Sequence, residues 1–373
     1  MKREILSLMQ RTRAFEPFRF ANRRKALVLH YHRFSPQPTP PATVASVFEE
    51  QLAYVTRHYE VVPLSVIVEC LTRRAQLPSR TVAITVDDGY RDFYEVALPV
   101  LQKFRTPATI FIVAEFVDRR CWIWTDKIRY VLGHLTQREW PLDLSSIIDL
   151  DLLSTGRLEA LYPDQSGSDR GAKLNAGAIA SPLDSASIAK AAERINSALK
   201  SMPESQRDYV IKVIATKLNV VLPDHPPGEY AALSWEQLKE LSASGIEVGS
   251  HSMTHPILTR ESNERVRYEI EESKAKIERL IGRKVTAFCY PNGDYERRAV
   301  LEARRARYAG AVTCRGGLNS QTESPYELRR VHTVDDFPAF LQGTSGLEQV
   351  KQAIRQRGHF IPQDVEHRYG TTE

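Results

Sequence analysis

The stretch that most constrains the fold of this chain is TVAITVDDGY at residues 81–90. Residues 81–86 are all small or β-branched, which is typical of a buried β-strand. The strand stops at two adjacent carboxylates, Asp87 and Asp88, and Gly89 follows them. Because neighbouring residues on a strand point to opposite faces, both carboxylates can reach one site only if the backbone bends at Gly89. The alternative is a βα loop whose Asp caps the next helix.

Similar apolar runs recur along the chain and alternate with segments of helical spacing. We predict strands at residues 25–32, 59–62, 81–86, 108–113, 245–250, 284–290, 309–313 and 327–334. The alternation predicts an α/β protein with a parallel sheet and right-handed crossovers. The count gives seven or eight βα units, which fit either a closed barrel or an open doubly wound sheet. No GxGxxG or GxxxxGK[ST] follows any of these strands, which argues against a nucleotide-binding fold.

The alternation lapses in the middle of the chain, which predicts a helical insertion at 115–230. Its segment 164–182 is rich in Gly, Ser, Asp and Ala and is expected to be a flexible loop. The expected division is a basic N-terminal arm at 1–24, a barrel domain at 25–340 that contains the insertion, and a C-terminal helix and tail at 341–373.

Composition excludes several classes of partner. The net charge of +5 is mild, and no basic stripe interleaved with aromatic residues occurs, which argues against nucleic acid. No apolar run is long enough for a transmembrane segment, and no secretory signal is present, so we expect a cytoplasmic protein, with the inner membrane face as an extension of that expectation. The Arg- and Phe-containing N-terminus leaves peripheral membrane contact open. The four cysteines form no CxxC and are expected to be reduced thiols.

A second cluster follows the predicted strand at 245–250. Its sequence is His251-Ser-Met-Thr-His255, and Pro256 comes next. Proline disfavours helical backbone in the residue before it, so both histidines are expected on a loop at the strand end. Carboxyl ends of parallel strands gather at one face, where one carboxylate with two imidazoles makes a common three-ligand metal set. The second carboxylate would then be free to act as a base, although the two histidines could also be ordinary hydrogen-bonding loop residues.

Four ordered motifs resemble the polysaccharide deacetylase, or NodB-homology, family of carbohydrate esterases. They are TVDDGY at 85–90, HSMTH at 251–255, FCYPNG at 288–293 and LRRVHT at 328–333, and the segment LHYH at 29–32 is similar to the opening strand of many members. The resemblance implies a distorted (β/α)7 TIM-like barrel. It also implies a divalent metal, with zinc favoured, held by Asp88, His251 and His255, with Asp87 as general base.

The activity implied by the resemblance is hydrolysis of the N-acetyl group of an amino sugar in a polysaccharide or glycan precursor. A water on the metal would be the nucleophile. The family often has Arg and Tyr where this chain has Cys289 and Asn292, and in members of the FxYPxG form an Arg such as Arg330 takes over the orientation of the base. We expect the backbone N–H of Asn292 to stabilise the oxyanion and Tyr290 to shape the sugar cleft.

The general acid that protonates the departing amine is expected to be a histidine. His32 is the first candidate, because it ends the first strand on the same face, and His332 is the second. Three alternative functions remain at this stage. They are a deformylase or other small-acyl amidase of the same fold, a catalytically inactive glycan-binding barrel, and a mononuclear iron oxygenase, whose metal site also uses two histidines and a carboxylate.

Overall fold

Seven parallel β-strands close into a barrel in the computed structural model of this protein, which describes residues 2–39, 41–134 and 185–350. We number them β1 Leu27–Tyr31, β2 Thr81–Val86, β3 Thr109–Ile112, β4 Glu247–Ser250, β5 Ala287–Cys289, β6 Gly310–Gly316 and β7 Leu328–His332. Each strand pairs with its neighbours in sequence, and β7 pairs with β1 to close the ring. The prediction of a distorted (β/α)7 barrel is confirmed, and the open-sheet alternative is wrong.

Helices surround the barrel and connect its strands. They are α1 Lys2–Arg11, α2 Glu16–Ala21, α3 Ala45–His58, α4 Leu64–Thr72, α5 Leu98–Phe104, α6 Ala114–Val117, α7 Trp124–Gly133, α8 Ser185–Leu199, α9 Glu204–Lys217, α10 Trp235–Ala243, α11 Asn263–Ile281, α12 Arg297–Arg305 and α13 Phe337–Ser345. Short strands form at Phe34–Ser35, Thr43–Val44 and Glu60–Val61. The last of these pairs with the start of β2 outside the ring, so the strand predicted at 59–62 is not part of the barrel.

The lower part of the barrel interior is apolar and is closed by α4. Inward-facing side chains of the strands form one buried cluster with the apolar face of α4; the cluster includes Val28, Ala83, Phe111, Val312, Leu328, Leu64, Ile67 and Val68. The start of α4 also meets the start of β4, where the Ser65 N–H donates to Glu247 Oε2 at 3.3 Å. Because α4 packs against the interior at the end where the strands begin, the end where they finish is the one left for chemistry in the described part of the chain.

The insertion lies between β3 and β4 and has a hydrophobic core of its own. Helices α7, α8 and α9 contribute to this core, and Ile257, from the loop after β4, packs into it. The insertion is therefore joined to the barrel next to the predicted histidine loop. The loop predicted at 164–182 lies outside the described residues.

The N-terminal segment that we predicted as a basic arm forms α1 and α2, which pack beside α13. Leu6 and Phe15 are buried in the main core. Residues 351–373 of the predicted tail lie outside the described part of the chain. Among the described helices, none has the length and apolar character needed to cross a membrane.

Candidate metal centre and active site

The two carboxylates in the turn after β2 contact different partners. Asp87 continues the strand, with its N–H donating to Tyr31 O at 3.0 Å. The bend starts one residue earlier than predicted, because Asp88 already has φ +75° and Gly89 has φ +88°. Asp is one of the few non-glycine residue types that tolerate this left-handed region. Both carboxylates are buried, with 1% and 6% of their surfaces exposed.

The histidine loop after β4 is a tight non-helical turn. Ser252 and His255 have φ +74° and +63°, in agreement with the expectation that Pro256 excludes a helix. The His255 N–H donates to Ser252 Oγ at 3.0 Å. Buried Glu269 of α11 accepts hydrogen bonds from the backbone N–H groups of Met253 at 2.8 Å and Thr254 at 3.0 Å. These contacts hold the loop against α11.

His251 and His255 present ring nitrogens to Asp88. The Nε2 atoms lie 3.4 Å and 3.6 Å from Asp88 Oδ1. Because the carbonyl of Cys289 can only accept, the 2.8 Å contact of His251 Nδ1 makes that nitrogen the donor, and Nε2 is the ring nitrogen that faces Asp88. Burial, with His251 adjacent, lowers the pKa of His255 to about 3, so this imidazole is neutral.

The three side chains fit a bound metal ion. Two ligands each about 2.1 Å from a tetrahedral zinc lie about 3.4 Å apart, close to the observed nitrogen–oxygen separations. Asp88 Oδ1 and His255 Nδ1 are buried without a hydrogen-bond partner, which is costly unless another group satisfies the carboxylate. One ligand atom of each residue lies within 4.8 Å of the other two. The donor set therefore suits a divalent ion with imidazole and carboxylate ligands.

Asp87 forms a separate cluster with Arg330 of β7 and His30 of β1. Arg330 donates from Nη1 to Oδ1 and from Nη2 to Oδ2, both at 2.7 Å. His30 Nε2 lies 2.9 Å from Oδ2. Although burial alone would raise it, the Arg330 charge and His30 hold the pKa of Asp87 well below its usual range. Asp87 is therefore an oriented carboxylate at neutral pH, beside but outside the three-ligand cluster.

Sequence reasoning did not assign His30 a role. The signal was available, because His30 and His32 are two residues apart in the strand predicted at 25–32 and would therefore share a face, although β1 itself ends at Tyr31. His30 is also the register partner of His332. His32 is the more exposed neighbour, with 39% of its side chain accessible and its Nε2 4.0 Å from Asp87 Oδ2. The two histidines predicted as acid candidates thus lie together at the rim, next to His30.

Tyr290, which we predicted to shape the sugar cleft, lies in the core in this structure, and its role stays a prediction. Its side chain is fully buried, donates to Tyr326 O at 3.1 Å and stacks on Tyr295. Alternation explains the result: inward-facing Cys289 precedes it, so Tyr290 points outward between barrel and helices. Asn292 lies in the loop after β5 with φ +56°, and its Nδ2 is buried without a partner.

Cys289 occupies the position where the family often has Arg. Its Sγ lies 3.4 Å from Asp87 Oδ2 and 3.3 Å from Arg330 Nη2. Burial raises the pKa of this thiol well above its ordinary value, so it is neutral. The guanidinium of Arg330, which comes from β7, contacts this small side chain and reaches Asp87. All four cysteines are free thiols, as expected.

The fold is a closed parallel barrel, and one carboxylate and two imidazoles converge where its strands end. These features define the class, which is a barrel protein with a candidate mononuclear metal centre. Residues 74–139 and 187–311 match the family model for polysaccharide deacetylase, and together they make up just over half of the chain. The chain belongs to the polysaccharide deacetylase family.

Individual relatives match shorter parts of the chain. A putative polysaccharide deacetylase of Bacillus subtilis, YxkH, is 27% identical over 122 residues, which is 33% of this chain and 44% of that protein. A poly-beta-1,6-N-acetyl-D-glucosamine N-deacetylase of Escherichia coli is 36% identical over 74 residues, or 20% of this chain and 11% of that protein. The matched part is therefore less than half the length of either curated relative.

Solved structures share the fold over most of the chain. The deacetylase PplD of Streptococcus pyogenes, in complex with acetate, is similar with a TM-score of 0.52 and 18% identity, over 86% of this chain and 98% of that one. IcaB from Ammonifex degensii is similar with a TM-score of 0.50 and 20% identity, over 85% of this chain and 97% of that one. At these identities the likeness establishes the barrel fold.

Proposed function

We propose that this protein is a metal-dependent deacetylase that hydrolyses the N-acetyl group of an amino sugar in a polysaccharide or glycan precursor. The observation that carries the proposal is the division of labour between adjacent carboxylates. Asp88 Oδ1 lies 3.4 Å from His251 and 3.6 Å from His255, whereas both oxygens of Asp87 are engaged by Arg330. Metal-assisted amide hydrolysis needs both a ligand set and a separate base.

Asp88, His251 and His255 would hold the ion, with zinc favoured by the imidazole and carboxylate ligands. Such an ion supplies polarisation of the amide carbonyl and a lower pKa for water. Asp87 is the general base in this proposal. Its pair with Arg330 fixes the carboxylate direction. Oδ2 accepts from Arg330 and His30, whereas Oδ1 accepts from Arg330 Nη1 and has a second lone pair for the proton of an attacking water.

The departing amine needs a proton donor, and we assign this role to His32. Its side chain is 39% exposed at the rim, so a substrate can reach it, whereas His30 is buried against Asp87. The backbone N–H of Asn292 is assigned to the developing oxyanion. Asn292 has a left-handed backbone conformation and lies in the tight turn that follows β5, at the carboxyl end of the barrel. Both assignments rest on the position of these groups around the open mouth.

Peripheral membrane contact is part of the same proposal, since a glycan precursor can be lipid-linked. Its support is that the N-terminal segment exposes both apolar and basic side chains: Ile5, Leu8, Phe20, Arg11 and Arg13. Such a surface suits anionic lipid headgroups. Co-sedimentation with phosphatidylglycerol vesicles tests it, and Leu8→Ser should weaken binding; equal binding by both proteins contradicts the contact.

The main test is release of free amine from N-acetylglucosamine oligosaccharides by the zinc-loaded protein. N-formyl oligosaccharides run in parallel distinguish a deformylase. Asp87→Asn should abolish amine release while one equivalent of zinc remains bound, and His255→Ala should lose tight zinc binding. Near-normal turnover in Asp87→Asn would remove Asp87 as the base. Zinc binding with no hydrolysis of any acylated glycan would favour the inactive glycan-binding barrel.

A further inference from the structure

Three histidines form a second cluster of potential ligands at the joint between β1 and β7. His30 and His332 are register partners on these adjacent strands, and His32 follows two residues after His30. The ring centroid of His30 lies 4.3 Å from that of His32 and 5.4 Å from that of His332. One ring nitrogen of each residue lies within 4.8 Å of the other two. None of the three belongs to the Asp88, His251 and His255 set.

The environment of His30 is that of a metal-binding histidine. Its Nε2 contacts Asp87 Oδ2 at 2.9 Å, which leaves Nδ1 as the free ring nitrogen. A ligating histidine commonly donates its other N–H to a carboxylate, which orients the ring and raises its basicity. Burial and the nearby Arg330 charge lower the pKa of His30, so its imidazole is neutral, as coordination requires.

The backbone holds the cluster in place. Thr333 donates from its backbone N–H at 3.2 Å and from Oγ1 at 3.0 Å to His30 O. This contact locks the ends of β1 and β7 together at the level of His30 and His332. The rings meet at angles of 47°, 75° and 58° rather than in parallel stacks, so their edges can converge. His32 and His332 are accessible from the mouth, which provides an entry path.

We propose that His30, His32 and His332 form a second binding site for a transition-metal ion such as Zn²⁺, and that occupation of this site inhibits the enzyme. Three imidazole ligands suit zinc, copper or nickel rather than magnesium or calcium. The site lacks a carboxylate ligand and lies near Arg330, so its affinity is lower than that of the Asp88 site. The expected inhibition rests on the proposed function, because a metal bound to His32 occupies the nitrogen that would carry the proton for the departing amine.

The experiment is isothermal titration of the chelator-stripped chain with Zn²⁺, with hydrolysis of N-acetyl oligosaccharides followed at each zinc level. We expect a tight first equivalent, a weaker second equivalent, and a loss of activity that follows the second. His332→Gln should weaken the second event at least tenfold, as expected for the loss of a group that supports a metal, and should keep the first. His255→Ala should do the reverse.

Controls separate this inference from the proposed function. Exposed His225, whose Nδ1 lies 3.0 Å from Arg119 O, provides a matched substitution: His225→Gln should behave as wild type. If His332→Gln fails to fold, His32→Gln is titrated instead, with binding as the only readout. A single equivalent in wild type, or an unchanged second event in the folded variant, overturns the second site. If no hydrolysis occurs at any zinc level, the proposed function is overturned. The number of zinc equivalents bound still tests the second site in that case.

Discussion

Arg330 and Asp87 form a bidentate ion pair inside the barrel mouth, with two parallel hydrogen bonds of 2.7 Å between a guanidinium and a carboxylate that are both almost fully buried. The partners are far apart in sequence. They meet because the closed barrel places β1 between β7, which carries Arg330, and β2, which precedes Asp87. Arg330 also donates from Nε to Thr313 O at 2.8 Å, so its plane is fixed from both sides.

Replacing Arg330 by Gln should both destabilise the protein and slow the reaction. Removal of one partner of a buried ion pair leaves an uncompensated charge and costs about 3–5 kcal/mol. Misplacement of Asp87, the proposed base, should lower kcat by about 100-fold. Urea unfolding and amine release measure the two effects. The adjacent Arg329 is the control, because its Nε forms a half-exposed pair at 3.5 Å from Glu323, so Arg329→Gln should cost less than about 1 kcal/mol.

The stability of the metal-free protein should fall on acidification because of Asp87. Arg330 and His30 keep its folded pKa well below the usual value, whereas the unfolded Asp titrates near pH ~3.9. The contribution of Asp87 is therefore complete above about pH 5 and is lost as the pH falls towards the folded pKa. Asp87→Asn should unfold more easily at pH 7 and show a flatter pH dependence. Urea midpoints in chelator check this, with exposed Asp224→Asn expected to keep the wild-type slope.

Glu269→Gln should weaken metal binding without touching a ligand. Glu269 Oε2 accepts from two loop N–H groups, and Oε1 accepts from Thr254 Oγ1 at 2.9 Å. A glutamine must turn an NH₂ group towards one of these donors, which loosens the turn that carries His255. A 10–100-fold loss of zinc affinity, typical of supporting residues, is expected by competition with a chelator. Glu272→Gln, exposed on the same helix, is the comparison, and equal affinities in the two variants would contradict this role.

Tyr290→Phe should leave turnover unchanged. The ring lies on the outer face of β5, and only the hydroxyl hydrogen bond to Tyr326 O at 3.1 Å is lost. That loss should cost about 1 kcal/mol in unfolding free energy. A tenfold fall in kcat/KM with the fold intact would return Tyr290 to the substrate cleft.

Much of the barrel could be predicted because apolar strand runs and helical spacing are local signals. The position of β2 follows directly from such a pattern. Contacts between distant strands are not local. The pairing of His30 with His332 and the reach of Arg330 to Asp87 depend on ring closure, which adjacent residues do not encode. The outward position of Tyr290 could have been predicted, since strict alternation from Cys289 assigns it to the outer face.

The packing of α4 against the interior leaves the described part of the barrel accessible from one end, where the strands finish. If the proposed function holds, a sugar polymer meets the site from outside that end and does not pass through the barrel. The acetate formed beside Asp87 would then leave on the side that the glycan covers, so product release would require the glycan to shift.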